Sequence, residues 1–191
     1  MKSRAERYLD RIVELAGGRE PDRVYPIEST RPDVHLPPVA AFSFPDLPEP
    51  GLLTGFTYGL SLARHPDWTL GRPELAITVE SDDAGWPIAI AIMAERLRGE
   101  CPFTYGSTVT VGERITDETQ MTGFVIFGPA FPLEKEQSRI DVGDDLPIYL
   151  AGCYPIYISE RDFIGRRGFE EFWRNVDWDP LDVRRGPAIF D

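Results

Sequence analysis

Pro21, Pro26, Pro32, Pro37, Pro38, Pro45, Pro48 and Pro50 crowd one stretch of the chain. Each removes a backbone donor and locks φ at about −65°, so no long helix forms there. The chain as a whole carries 18 prolines and 17 glycines among 191 residues. Such density shortens helices and favours turns, strand edges and loops. No triplet period accompanies it, which excludes collagen, and 42% hydrophobic residues argue against disorder. The length suffices for a core without disulfides or metals. Within the proline-rich stretch, Val39–Phe44 reads as a strand at an edge and the rest as an extended arm over the surface.

Helical periodicity is clearest just upstream. Ala5, Tyr8, Leu9, Ile12, Val13 and Ala16 recur on one face, Ser3 with Glu6 has the spacing of a capping box, and Gly17-Gly18 supplies a stop. Downstream the pattern turns β-rich. Strands are predicted at 53–58, 74–80, 107–111, 123–127 and 146–153. Residues 86–99 alternate like a strand at Ile88–Ile92, but Pro87 suits a first helical position and Met93–Arg98 is helix-forming, so a helix ending at Gly99 is predicted. Ser159 with Asp162 can cap a short helix, and Phe169, Phe172, Trp173 and Val176 follow at helical spacing. Lys135 lies in a polar stretch between the last two strands. The fold class is α+β, a mixed β-sheet flanked by helices.

Charge and motifs narrow the function. Thirty-two acidic residues against 20 Lys and Arg give a net charge of −12, which excludes the basic footprint of a nucleic-acid binder. No apolar run is long enough to span a membrane, and the N-terminus has no secretory pattern, so a cytoplasmic location is expected. Cys101 and Cys153 form no metal or redox spacing and read as two buried thiols in a reducing compartment. His35 and His65 sit in proline-flanked loops without evident partners, and no nucleophile elbow, zinc motif or phosphate loop occurs. No cofactor and no metal is expected. One acidic group, Glu80, Asp82 and Asp83 at a strand end, could ligate a divalent cation in a carboxylate-dependent enzyme, but Asp-Asp-Ala-Gly is also turn and capping chemistry.

Several segments together resemble the suppressor-of-fused (SUFU) family. They are Thr57–Ser61, Pro73–Val79, Trp86-Pro87 with Met93–Leu97, Gly106–Val111, Tyr154–Arg161 and the terminal Asp182–Phe190 with its Arg185-Gly186. Their order runs through residues 52–191, while the first 50 match weakly. The resemblance implies a SUFU-like layered α/β domain at 51–191, with 1–50 as an N-terminal helix and arm packed on it. One lobe of the two-lobed animal protein is expected.

By the same resemblance the chain is a non-enzymatic protein-binding module, in the manner of bacterial members that look like immunity proteins neutralising a toxin. The expected partner is a basic toxin domain or an extended peptide docking at an edge strand. Tyr105, Ser107, Thr108 and Val109, with the turn of Asp141, Asp144 and Asp145, are the candidate contacts. Tyr58, Gly59, Ser61, Glu74, Trp86, Pro155, Arg185 and Gly186 are expected to keep the fold. Ser107 and Gly128 stand where animal members carry acidic groove residues, a departure that bears on which peptide is bound.

Overall fold

The computed structural model describes residues 2–29, 35–132, 134, 136–174 and 178–190. Pro32, Lys135 and Val176 lie outside the described residues. Helix α1 (Arg4–Leu15) starts at the expected capping box: Ser3 Oγ accepts the Glu6 N–H, and the Glu6 carboxylate accepts the Ser3 N–H at 2.6 Å. The strands are β1 (Arg23–Pro26), β2 (Ala40–Pro45), β3 (Leu52–Tyr58), β4 (Arg72–Glu80), β5 (Thr108–Thr110), β6 (Gly123–Phe127), β7 (Arg139–Ile140) and β8 (Ile148–Ile156). Helix α2 (Gly85–Leu97) follows β4, and α3 (Ile158–Arg167) and α4 (Phe169–Trp173) follow β8.

The strands form one mixed sheet in the order β1-β2-β3-β4-β8-β6-β5, with β7 beside the first residues of β8. The pair β4·β8 is parallel; the other pairs are antiparallel. Alternation sorts side chains onto two faces. Ala151 and Cys153 of β8, Phe124 and Ile126 of β6, and Leu75, Ile77 and Val79 of β4 pack under α2 with Trp86, Ile90 and Met93. On the other face Ile148 and Leu150 meet Tyr8 and Ile12 of α1. Farther along β8, Tyr154 and Ile156 meet Phe163, Ile164 and Phe172 of α3 and α4. The result is three layers: α2, the sheet, and α1 with α3–α4.

Four local expectations change. Residues 23–26, read as surface arm, pair antiparallel with β2. Helix α2 begins at Gly85, where Asp83 Oδ1 accepts the Gly85 N–H at 2.7 Å; Pro87 falls within the first turn, where its missing donor costs nothing. Helix α3 is capped not at Ser159 but two residues earlier, at Tyr157, whose N–H donates to Glu160 Oε2 at 3.0 Å, while Asp162 pairs with Arg161. Strand β7, two residues long, had no sequence signal. Of the two thiols, Cys153 is buried and Cys101 only partly so.

The arm is pinned to α2 by a buried ion pair. Glu95 Oε2 accepts the Val39 N–H at 3.0 Å, Arg98 Nη1 donates to the Pro37 carbonyl at 2.7 Å, and the two side chains meet at 3.1 Å. Among the described residues, no helix is long and apolar enough to cross a membrane.

Candidate functional site

The two ends of the sheet differ chemically. At one end, the Ile27 N–H donates to the Val39 carbonyl at 2.8 Å. Antiparallel alternation then turns Tyr25 toward β2 and leaves Val24 and Pro26 facing outward. Pro26 has no N–H, so that edge cannot continue a ladder. At the other end, the Ile126 N–H donates to the Ser107 carbonyl at 2.9 Å and the Val111 N–H to the Thr122 carbonyl at 2.9 Å. Residues 107, 109 and 111 therefore turn their backbone groups to β6, and those of Thr108 and Thr110 point away. Among the described residues, β5 has no strand partner but β6.

A bulge sets up this edge. The turn Thr104–Ser107 closes with the Ser107 N–H and Oγ both on the Thr104 carbonyl, at 3.1 and 2.6 Å. Within that turn Gly106 sits at φ +83°, and its N–H shares Ile126 with Ser107, so two residues oppose one. A Cβ at Gly106 would lie 3.1 Å from Phe169. The bulge explains why the strand starts at Thr108 and not at Ser107. It also swings Tyr105 onto Phe127 at 5.4 Å, beside Phe169 and Trp173. Tyr105 stays half-exposed, and partial burial raises its hydroxyl above the ordinary phenol value.

The side chains of β5 alternate between two surroundings. Val109 packs toward α2, where an open groove of about 200 Å³ runs between the helix and residues 109–115. Thr108 and Thr110 face α3: Arg161 Nη1 donates to Thr110 Oγ1 at 3.2 Å, and Thr108 shares a shallow depression with Arg161, Asp162 and Arg166.

The Asp141–Asp145 turn lies elsewhere. It precedes Ile148, whereas β5 reaches β8 through β6 at Tyr154–Ile156. Six residues of β8 separate them, about 20 Å at 3.3 Å per residue. The carboxylates there have internal partners. Asp144 meets Arg4 at 2.6 Å and Arg72 at 3.6 Å, Asp145 meets Arg72 at 2.8 Å, and Asp141 accepts the Gly143 N–H at 2.8 Å.

The remaining motif residues are engaged inside the molecule. Glu74, fully buried, accepts hydrogen bonds from Thr57 Oγ1, the Gly59 N–H, the Ser61 N–H and Ser61 Oγ at 2.8, 2.8, 3.0 and 2.5 Å. The Tyr58 ring lies 5.1 Å from Tyr8. Trp86 Nε1 donates to Glu118 at 3.1 Å. Glu160 and Arg185 form a pair beside the carbonyls of Pro155 and Gly186.

The acidic group does not assemble into one site. Asp83 accepts the Gly85 N–H just before α2, the Glu80 N–H donates to the Leu181 carbonyl at 2.9 Å, and Glu80 and Asp82 line an open cleft with Asp46, Glu49 and Arg184. Among the described residues, no three His, Cys, Asp or Glu side chains are arranged to hold a metal ion.

The open β5 edge had a sequence signal in its short Thr-Val-Thr run, but the Arg161 and Arg166 flank had none. Those arginines come from a helix some 50 residues downstream of β5.

Comparison with known proteins places this architecture. Residues 35–186 match the family described as Suppressor of fused protein (SUFU). A SUFU homologue from Neisseria gonorrhoeae FA 1090 superposes with a TM-score of 0.74 at 19% identity, over 97% of this chain and 96% of that one. The Sufu–Fu complex gives 0.68 at 8% identity, covering 94% and 90%. Drosophila Suppressor of Fused gives 0.65 at 10%; this chain, 95% covered, spans 50% of that one. No curated protein matches the chain.

Proposed function

The chain belongs to the suppressor-of-fused family, and from that premise we propose that it is a non-enzymatic protein-binding module that takes an extended segment of its partner as an added strand on β5. The observation that carries this reading is the contrast between the two sheet edges. One is stopped by Pro26; the other turns the backbone groups of Thr108 and Thr110 outward, where they have no strand partner among the described residues. The Sufu–Fu structure, a complex of a similar fold with Fu, supports a binding role.

Tyr105, Ser107, Thr108 and Val109 form the contact in this reading. Asp141, Asp144 and Asp145 form a second, distant one, reached by a partner whose cations compete with Arg4 and Arg72. The partner we propose is a toxin held inactive in the bacterial cytoplasm, with this chain as its immunity protein. The net charge of −12 supports a basic partner body drawn in by long-range attraction.

The test is co-expression with the product of the neighbouring gene. Wild-type chain is expected to rescue growth and to co-elute with that product. Thr110→Pro deletes an outward N–H and spares the β5·β6 ladder, so it is expected to abolish both effects while the protein stays folded. Undiminished rescue by Thr110→Pro removes the edge from the reading. Absence of rescue by wild type removes the toxin.

A further inference from the structure

The flanks of β5 specify the chemistry of the strand they accept, an inference that rests on the edge-addition reading above. A residue directly opposite Thr108 or Thr110 on an added strand projects to the same face as those threonines. That face belongs to α3. Arg161, its Nη1 already on Thr110 Oγ1, and Arg166 line the depression beside Thr108. Arg161 shares its charge with Asp162 at 2.6 Å, but Arg166 is exposed and has no ion-pair or hydrogen-bond partner among the described residues.

A residue opposite Val109 or Val111 projects to the other face, into the groove beside α2. Its apolar lining includes Ala89, Ile92, Leu97, Val111 and Ile115. Helix α2 contributes to this because it lacks a polar outer face. Its sequence, GWPIAIAIMAERL, leaves Ile88, Ala89 and Ile92 only partly buried, and its polar residues come only in the last turn. A helix that is apolar nearly all round is expected to be covered on both sides. Arg96, Arg114 and Glu113 also line the groove, and Arg114 meets Asp117 at 3.6 Å. In a chain of net charge −12, this edge thus gathers four arginines, Arg96, Arg114, Arg161 and Arg166, against the carboxylates of Glu113 and Asp162.

We infer that the segment docking on β5 is an extended stretch alternating apolar and acidic side chains. The apolar ones enter the α2 groove, and the carboxylates meet Arg161 and Arg166. The attraction of a basic partner body and the selection of an acidic docking strand are separate effects: the first acts at long range over the whole surface, the second at contact on one edge.

The probe is a capped peptide of about eight residues alternating glutamate and valine, compared with its lysine–valine counterpart and with a glutamate–serine one. Titration is followed by amide NMR, with hydrogen exchange read at Thr108 and Thr110. The glutamate–valine peptide is expected to protect those two amides and to bind about tenfold tighter than the lysine–valine peptide. Two exposed attractions exchanged for two repulsions amount to about one decade in affinity. The preference is expected to invert in the double variant Arg161→Glu, Arg166→Glu, whose fold is checked by its unchanged core amide spectrum. The glutamate–serine peptide is expected to lose binding because it leaves the groove empty. Equal protection by glutamate–valine and lysine–valine peptides leaves the edge reading intact and overturns the acidic specificity. Protection by none of the peptides overturns both.

Discussion

Glu160 and Arg185 meet as a two-point pair, Nη1 on Oε1 at 2.5 Å and Nη2 on Oε2 at 2.9 Å, with Glu160 fully buried. The pair ties the end of the chain to the start of α3. Glu160 also accepts the Tyr157 N–H at 3.0 Å and the Ala188 N–H at 2.7 Å, while the Arg185 guanidinium lies 4.7 Å from the Trp178 ring. Removing one member of such a pair leaves the other buried without its counter-charge. Arg185→Ala is expected to cost about 3–5 kcal/mol, the range for a broken buried pair. Chemical denaturation measures it, and a loss under about 1 kcal/mol, the range of exposed pairs, would show that the tail is held by its apolar contacts alone.

Two glycines should respond to alanine with opposite signs. Gly59 sits at φ +126°, and a Cβ there would lie 2.9 Å from Val39 Cα, so Gly59→Ala is expected to destabilise by about 1–3 kcal/mol. Gly165 lies inside α3 with open space around its Cβ position, so Gly165→Ala is expected to stabilise by up to about 1 kcal/mol. Thermal unfolding of the two variants tests the pair; a shift of the same sign in both contradicts it.

Stability should fall on acidification in part through Glu118. Burial pushes its carboxyl upward, but hydrogen bonds from Ser81 and Trp86 and the charge of Arg184 outweigh it and hold the group below the ordinary carboxylate value of 4.5. Its folded pKa is thus lower than its unfolded one. The stabilisation is fully present above about pH 4.5 and is lost as pH falls through the folded value. Glu6, lowered by the Ser3 backbone and hydroxyl hydrogen bonds, contributes with the same sign. Glu118→Gln is expected to be less stable at neutral pH and to lose stability less steeply between pH 5 and pH 3. Melting curves across that range that run parallel to wild type would rule out Glu118 as a source.

The two thiols should label in order. Burial raises the Cys153 thiol far above its ordinary value, and it raises Cys101, partly offset by a hydrogen bond with the Phe103 backbone. With iodoacetamide near neutral pH, Cys101 is expected to react slowly and Cys153 only after unfolding, as read by intact mass and peptide mapping. Labelling of Cys153 first would mean that the sheet opens beneath α2.

Where an element carries its own signal, the chain shows it directly. The capping box of α1 and the alternation of β4 depend on neighbours a few residues apart, so spacing reveals them. Ile88–Ile92 was ambiguous because an all-apolar run fits either period; the Asp83 turn onto the Gly85 N–H and the helix-forming residues at 93–98 decide it. Strands β1 and β7 were not legible, since two to four residues become a strand only when β2 or β8 lies alongside. Of the seven candidate contacts, Thr108 and Val109 fall on the edge strand β5, and Tyr105 and Ser107 in the turn before it. The ion pairs of Asp144 and Asp145 with Arg4 and Arg72 were not legible, because a carboxylate in a turn looks the same in sequence whether solvent or an arginine faces it.

Sequence alone therefore determined the family, the α+β class and most of the strands, all of which follow from motif order and periodicity. Tertiary structure alone decided which sheet edge is open, which charges are already paired and which arginines flank β5. Those properties rest on contacts between residues far apart in the chain. Pro26 closes one edge only because β2 fixes the direction its missing N–H would have taken. Arg161 flanks the other only because α3 folds back across the sheet to meet Thr110.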